Sequence, residues 1–222
     1  LGQVQLEQAL PPLERFAQRV REATTTPPID PRVVEQAFDL DGESWTLVIT
    51  LAGLRLEGQT RWRAGSLRAQ DRLEAWIQHL ALCAAAPADV ARRTRWIALD
   101  EALALTPVPE ASAELARLLR HYRRGLTEPL HFYPRTSWTF VHTQGNRDQA
   151  RAAWTPGPYN AHAEGADAAH RLALRGCAEP LDAAFEEIAH AVFGPLLAHT
   201  DAEADAEADA ETDAAGGNGE PA

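Results

Sequence analysis

Apolar residues recur at three- and four-residue spacing from Gln3 to about Glu22, at Leu6, Leu10, Leu13, Phe16 and Val20. That period predicts a helix, and Pro11-Pro12 predicts a break within it, with a second helix starting at the prolines. After a linker over Thr24–Pro31, the runs Val33–Leu40 and Ser44–Leu51 are apolar and β-branched, and Asp41-Gly42-Glu43 between them is a hairpin signal. A second turn at Leu56-Glu57-Gly58-Gln59 leads into a strand at Thr60–Arg63. Ser66 then stands where a cap is needed for a helix whose stripe is Leu73, Trp76, Ile77, Leu80 and Ala84. The predicted order is helix, three strands, helix.

Beyond it, Arg95–Leu99 and Ala102–Thr106 flank Asp100-Glu101 as a short strand pair, ended by Pro107 and Pro109. Ser112 as cap, the stripe Leu115, Leu118, Leu119 and Tyr122, and Gly125 just past the end predict another helix. Leu130–Phe132 reads as extended. Pro134–Pro158 is rich in aromatics and turn residues without a period, whereas Asp167–Arg175 and Leu181–Leu197 again read as helices. From Asp201 the chain turns to Asp-Ala-Glu-Ala repeats with no large apolar side chain to offset ordering entropy. One domain over residues 1–200 and an acidic disordered tail over 201–222 are therefore expected.

Composition sharpens this picture in two places. Of the 32 acids, eight lie from Asp201 onward without a single base, so the net charge of −11 is mostly a tail property and the body is only slightly negative. All 21 bases are arginine. The absence of lysine removes the Walker and kinase lysines, Schiff-base chemistry and the lysine of most metal-dependent nucleases. Methionine is also absent, position 1 included, so a piece of a longer polypeptide is expected. Cys83 and Cys177 lack a C-x-x-C neighbour, which excludes a zinc ribbon or a disulfide scaffold and fits a reducing, cytoplasmic setting. No signal peptide or eighteen-residue apolar run is present, so no membrane association is expected.

Few motifs carry chemistry. His162-Ala163-Glu164 has the H-x-E spacing of zinc deaminases but no P-C-x-x-C partner. Gly42-Glu43-Ser44-Trp45-Thr46 lacks the second glycine of a nucleophile elbow, and no G-x-G-x-x-G follows a strand. No catalytic residue, metal, cofactor or small-molecule substrate is expected. Arginine is the distinctive feature: Arg61 and Arg63, the cluster Arg92, Arg93 and Arg95, and Arg117, Arg120 and Arg124 on one helix face. That face suits phosphates. On spacing alone a solvated face paired with Glu110 and Glu114 is the weightier reading. For the six tryptophans, core packing is the better reading than base stacking.

Three stretches read together: Arg61-Trp62-Arg63 leading into Ser66–Ala84, Leu118–Leu130, and Phe132-Tyr133-Pro134-Arg135-Thr136-Ser137-Trp138. They resemble the C-terminal domain of the RecC family, the gamma subunit of exodeoxyribonuclease V, the RecBCD helicase–nuclease. Glu164–Asp167, Arg175-Gly176 and Gly194–Leu197 look similar too, so the resemblance covers most of Gln3–His199. It implies an α/β fold with a degenerate restriction-endonuclease-like core of the PD-(D/E)XK type: helix, three-stranded meander, helix and strand, followed by further helices. In active cores of that kind an acid on the second strand and a D/E-x-K on the third hold a divalent metal. Here Ser44–Leu51 has no acid and Arg61-Trp62-Arg63 stands at the D/E-x-K place; arginine repels magnesium instead of ligating it. The resemblance thus implies a non-catalytic domain that docks the RecB and RecD subunits and guides DNA in double-strand break repair and recombination, with Arg61, Arg63, Arg117, Arg120 and Arg124 as candidate DNA contacts. For Arg61 and Arg63, salt bridging within the strand is an equal alternative. Two other readings stand beside this one: a divergent nuclease using Asp39, Asp41 or Glu57, and a stand-alone interaction module.

Overall fold

The computed structural model describes residues Gly2–Asp201; the acidic segment after Asp201, expected to be disordered, lies outside the described residues. Its first helix, α1 (Gly2–Glu22), runs unbroken through Pro11 and Pro12, so the predicted break is absent. Each proline removes one backbone donor without ending the helix. Strands β1 (Arg32–Leu40) and β2 (Glu43–Leu51) form the predicted antiparallel hairpin. Its two-residue turn has positive φ at both Asp41 (57°) and Gly42 (83°), the mirror-image geometry that matches strand twist.

The predicted three-stranded meander is divided between two sheets. The hairpin is a sheet of its own, and β3 (Leu54–Arg55), β4 (Gly58–Trp62), β5 (Thr94–Ile97) and β6 (Ala102–Leu105) make a second sheet in that order. Gly53 is the reason. It takes φ +71° just after β2, and a Cβ there would stand 2.4 Å from the Thr60 carbonyl oxygen, so only glycine allows the chain to turn into the second sheet at that distance. The path from hairpin to third strand is kept while the pairing is not.

After β4, helix α2 (Ala69–Ala85) carries the chain back so that β5 pairs parallel to β4, Gln59 opposite Thr94 and Trp62 opposite Ile97. The cap of α2 is not Ser66: the Arg68 N–H donates to Asp71 Oδ2 at 2.9 Å, half of a capping box. Trp76 and Leu80 are fully buried as predicted, while Leu73, Ile77 and Ala84 are only half-buried and His79, Leu82 and Cys83 complete the inner face. Leu51, Leu54, Ala81, Leu82 and Val90 form one apolar cluster, with Ile29, Val34 and Ile49 against it. Strand β6 pairs antiparallel to β5, and the chain returns along the outer edge of β6: the Thr106 N–H donates to the His199 carbonyl at 2.9 Å and the Asp201 N–H to that of Ala104 at 2.9 Å.

The described chain divides into two compact units. One holds the residues up to Leu67, Glu74–Ser112 and the segment from His199; the other holds Arg68–Leu73 and Ala113–Ala198. Helix α3 (Ala111–Gly125) contains both Ser112 and Gly125, so neither is the punctuation mark predicted; Ser112 Oγ instead accepts from Gln36 Nε2 at 2.8 Å. Of its stripe Leu115 is buried, but Tyr122 is exposed. Leu130–Phe132 is irregular, with no strand.

The aperiodic aromatic region folds as α4 (Pro134–His142) and α5 (Arg147–Trp154), neither of which the pattern predicts. Local chemistry starts both. Pro134 sits at the first turn of α4, and Asn146 caps α5 by accepting from the Gln149 N–H at 3.1 Å. Asp167 caps the short α6 (Ala168–Ala173), and α7 (Ala183–Ala198) follows. The core of this unit is aromatic, with Tyr133 packed 4.3 Å from Trp154 and 5.9 Å from Phe185 between ring centroids.

Candidate nucleic-acid interface

Alternation along β4 sends Gln59 and Arg61 to the face toward α2, and Thr60 and Trp62 to the other. Glu74 and Gln78, four residues apart on α2, meet Arg61 there. Its Nη1 donates to Gln78 Oε1 at 3.1 Å and its Nη2 pairs with Glu74 Oε1 at 3.2 Å, while the guanidinium carbon lies 5.3 Å from the Trp96 ring centroid. Gln59 Nε2 donates to the same Gln78 oxygen at 2.6 Å. Arg61 is thus held by a carboxylate, an amide and an aromatic face. Arg63 follows where the strand ends, half-buried, its backbone N–H donating to the Ile97 carbonyl at 3.0 Å and its guanidinium packed on Gly65.

The other three arginines stand on α3. Arg117 pairs with Glu114 and Arg124 with Glu128 at 2.6 Å, so two of the three charges have a carboxylate within a turn. Arg120, between them, is exposed and forms no ion pair among the described residues; Glu110, the other expected partner, forms none either. The positive field is felt by His121, whose pKa is lowered first by burial and then by Arg124 and Arg117, against the opposing pull of Glu187. Arg61 and Arg63 belong to one compact unit and Arg117, Arg120 and Arg124 to the other.

The acids of the rival nuclease reading are engaged separately. Asp39 Oδ1 accepts from the Gly42 N–H at 3.0 Å within the hairpin turn. Glu57 accepts from the Thr26 hydroxyl at 2.6 Å, a bond that holds its carboxyl below the ordinary range. Among the described residues no three His, Cys, Asp or Glu side chains are grouped to hold a metal ion. In the H-x-E triplet, Glu164 takes the Arg135 and Thr136 N–H groups and the Thr136 hydroxyl at 2.8–3.0 Å, so it serves the start of α4. The partners of Arg61 were not legible beforehand. Glu74 and Gln78 stand among surface-type residues, and only the parallel crossover carries them to β4.

A family model described as the RecC C-terminal domain matches residues 1–145. The similarity read in Glu164–Asp167, Arg175-Gly176 and Gly194–Leu197 lies beyond that span. No curated protein matches the chain. No helix among the described residues is long and apolar enough to cross a membrane. With 145 of its 222 residues matched, the chain belongs to the RecC C-terminal domain family, that of the exodeoxyribonuclease V (RecBCD) subunit of DNA repair and recombination.

Proposed function

We propose that this chain is a non-catalytic, cytoplasmic domain that docks the RecB and RecD motor subunits and guides separated DNA strands through contacts to their backbones. Its core, on this reading, is a degenerate restriction-endonuclease-like scaffold. The observation that carries it is Arg61. At the position that the resemblance matches to the metal-holding strand of active cores, this chain has a guanidinium seated between Glu74, Gln78 and the ring of Trp96. A fixed cation there opposes metal binding and leaves a phosphate or a carboxylate as the group it can meet. Arg120, exposed on α3 and flanked by ion-paired Arg117 and Arg124, supports backbone contact by a second cationic surface.

The test is co-purification of the full chain with the RecB and RecD subunits of the same organism, followed by DNA binding of the assembly across salt concentrations. Retention through high salt supports docking. Replacing Arg120 with Ala should then flatten the salt dependence by about 0.7–0.9 in log–log slope, the share of one phosphate, whereas Arg117→Ala and Arg124→Ala each change it less. Failure of the folded chain to bind either subunit refutes docking, unchanged slopes refute the α3 contact, and magnesium-dependent cleavage of linear DNA lost on Asp41→Asn refutes the non-catalytic reading.

A further inference from the structure

Trp62 is the exposed one among the six tryptophans, at 48% of its full accessibility, whereas Trp76 and Trp96 are buried and Trp45, Trp138 and Trp154 half-buried. It ends β4, at the carboxyl end of the parallel β4–β5 pair and past the point where the two-residue β3 covers that edge. Crevices outside the carboxyl ends of parallel strands are where α/β sheets bind ligands. Register also sets its neighbours. Thr60 pairs with Arg95 and Trp62 with Ile97, so Trp62 and Arg95 share a face as diagonal neighbours about 8 Å apart at the backbone.

Two arginines on that face are uncommitted. Arg93 is exposed and Arg95 half-exposed with a buried, unbonded Nε, and neither forms an ion pair among the described residues. Both line a cleft of about 330 Å³ together with Thr60. Glu22, Glu57 and Asp201 also line it; Glu57 accepts from the Thr26 hydroxyl and Glu22 from the Gln18 amide, and none of the three is ion-paired to Arg93 or Arg95. An exposed indole next to the unpaired Arg95 guanidinium, with Arg93 two residues further back along the same line, offers what single-stranded nucleic acid requires, a π-face for a base and cations for phosphates of the same strand.

We propose that Trp62 stacks on a base of single-stranded DNA while Arg93 and Arg95 meet the flanking phosphates. This rests on the DNA-guiding reading and adds to it a base platform on the face of β4 opposite Arg61. The ligand class is an unpaired strand of any sequence, since every base offers a π-face.

The experiment uses the full chain assembled with its partner subunits and a twenty-nucleotide oligothymidine as probe. Trp62→Ala should weaken binding roughly tenfold, Trp62→Phe should restore most of it, and the salt slope should stay unchanged because stacking releases no counterions. Arg93→Ala should instead lower the slope. Unaltered oligothymidine affinity in Trp62→Ala overturns the proposal while leaving the DNA-guiding reading intact, and the same variant losing its partner subunits would identify Trp62 as a protein contact. An assembly that binds no oligothymidine at all overturns both. A thermal melt of Trp62→Ala matching the parent excludes misfolding as the source of a loss.

Discussion

His79 makes a demanding prediction because its ring is fully buried and its tautomer is set by its neighbours. Nε2 lies 2.8 Å from the Thr106 carbonyl, which can only accept, so Nε2 carries the proton; Nδ1, 3.0 Å from the Thr94 hydroxyl, is the acceptor. Protonation would place a charge beneath Trp76, in an interior that cannot hydrate it. Burial accordingly lowers the pKa from 6.5 to about 4, against the favourable pull of the Thr106 carbonyl and with the help of His199. Between those two values the unfolded chain binds the proton and the folded chain does not. Stability is therefore fully present above about pH 6.5 and is lost as pH falls toward 4. Working from the two pKa values, the loss between pH 7 and pH 5 is about 2 kcal/mol. Urea unfolding of the parent and of His79→Gln at both pH values isolates this contribution, since the other titrating groups are common to both proteins. The variant should be weaker at pH 7, by roughly 1–3 kcal/mol for the imperfectly replaced hydrogen bonds. Its pH dependence should be shallower by about 2 kcal/mol. Equal pH dependence in the two proteins would show that the imidazole titrates normally and refute the buried neutral tautomer.

Other substitutions test the packing directly. Trp76→Ala empties a fully buried site and should cost roughly 3–5 kcal/mol in urea unfolding; an unchanged midpoint would contradict its place in the core. Gly53→Ala meets both a positive φ and the Thr60 oxygen, so a loss of at least about 1–3 kcal/mol is expected, with tolerance refuting the close approach. Gly194→Ala, inside α7 and immediately before Pro195, adds a Cβ that the proline ring disfavours in the helical region, so the usual helix-propensity gain of about 1 kcal/mol should be absent, and a rise of that size in urea unfolding would refute the argument.

The elements that were legible beforehand are those whose information is local. The Asp41-Gly42 hairpin, the β5–β6 pair and helices α2, α3 and α7 each follow from a period or a turn residue within a few positions. Helices α4 and α5 were missed because their residues are chosen for one aromatic core: Tyr133, Trp138, Phe140 and Trp154 follow ring packing and not a helical stripe. Tyr122 falls on the apolar stripe yet is exposed, since periodicity names a face without saying how far along the helix anything covers it. Reading all six tryptophans as core residues failed at Trp62 for a related reason. A strand alternates its faces in sequence, but whether the edge beside a given residue is covered depends on the length of its neighbour, here the two-residue β3.

By itself, then, the amino-acid sequence determined the family resemblance, the absence of lysine and the run Arg61-Trp62-Arg63. These depend on which side chains exist and on their order. Tertiary structure alone decided that Arg61 would be held by Glu74, Gln78 and Trp96, that Arg120 would be exposed between paired neighbours, and that Arg93, Arg95 and Trp62 would share a face. The first and last of those relations join residues from different elements, which the parallel return of the chain through α2 brings together, while the exposure of Arg120 depends on what packs against α3.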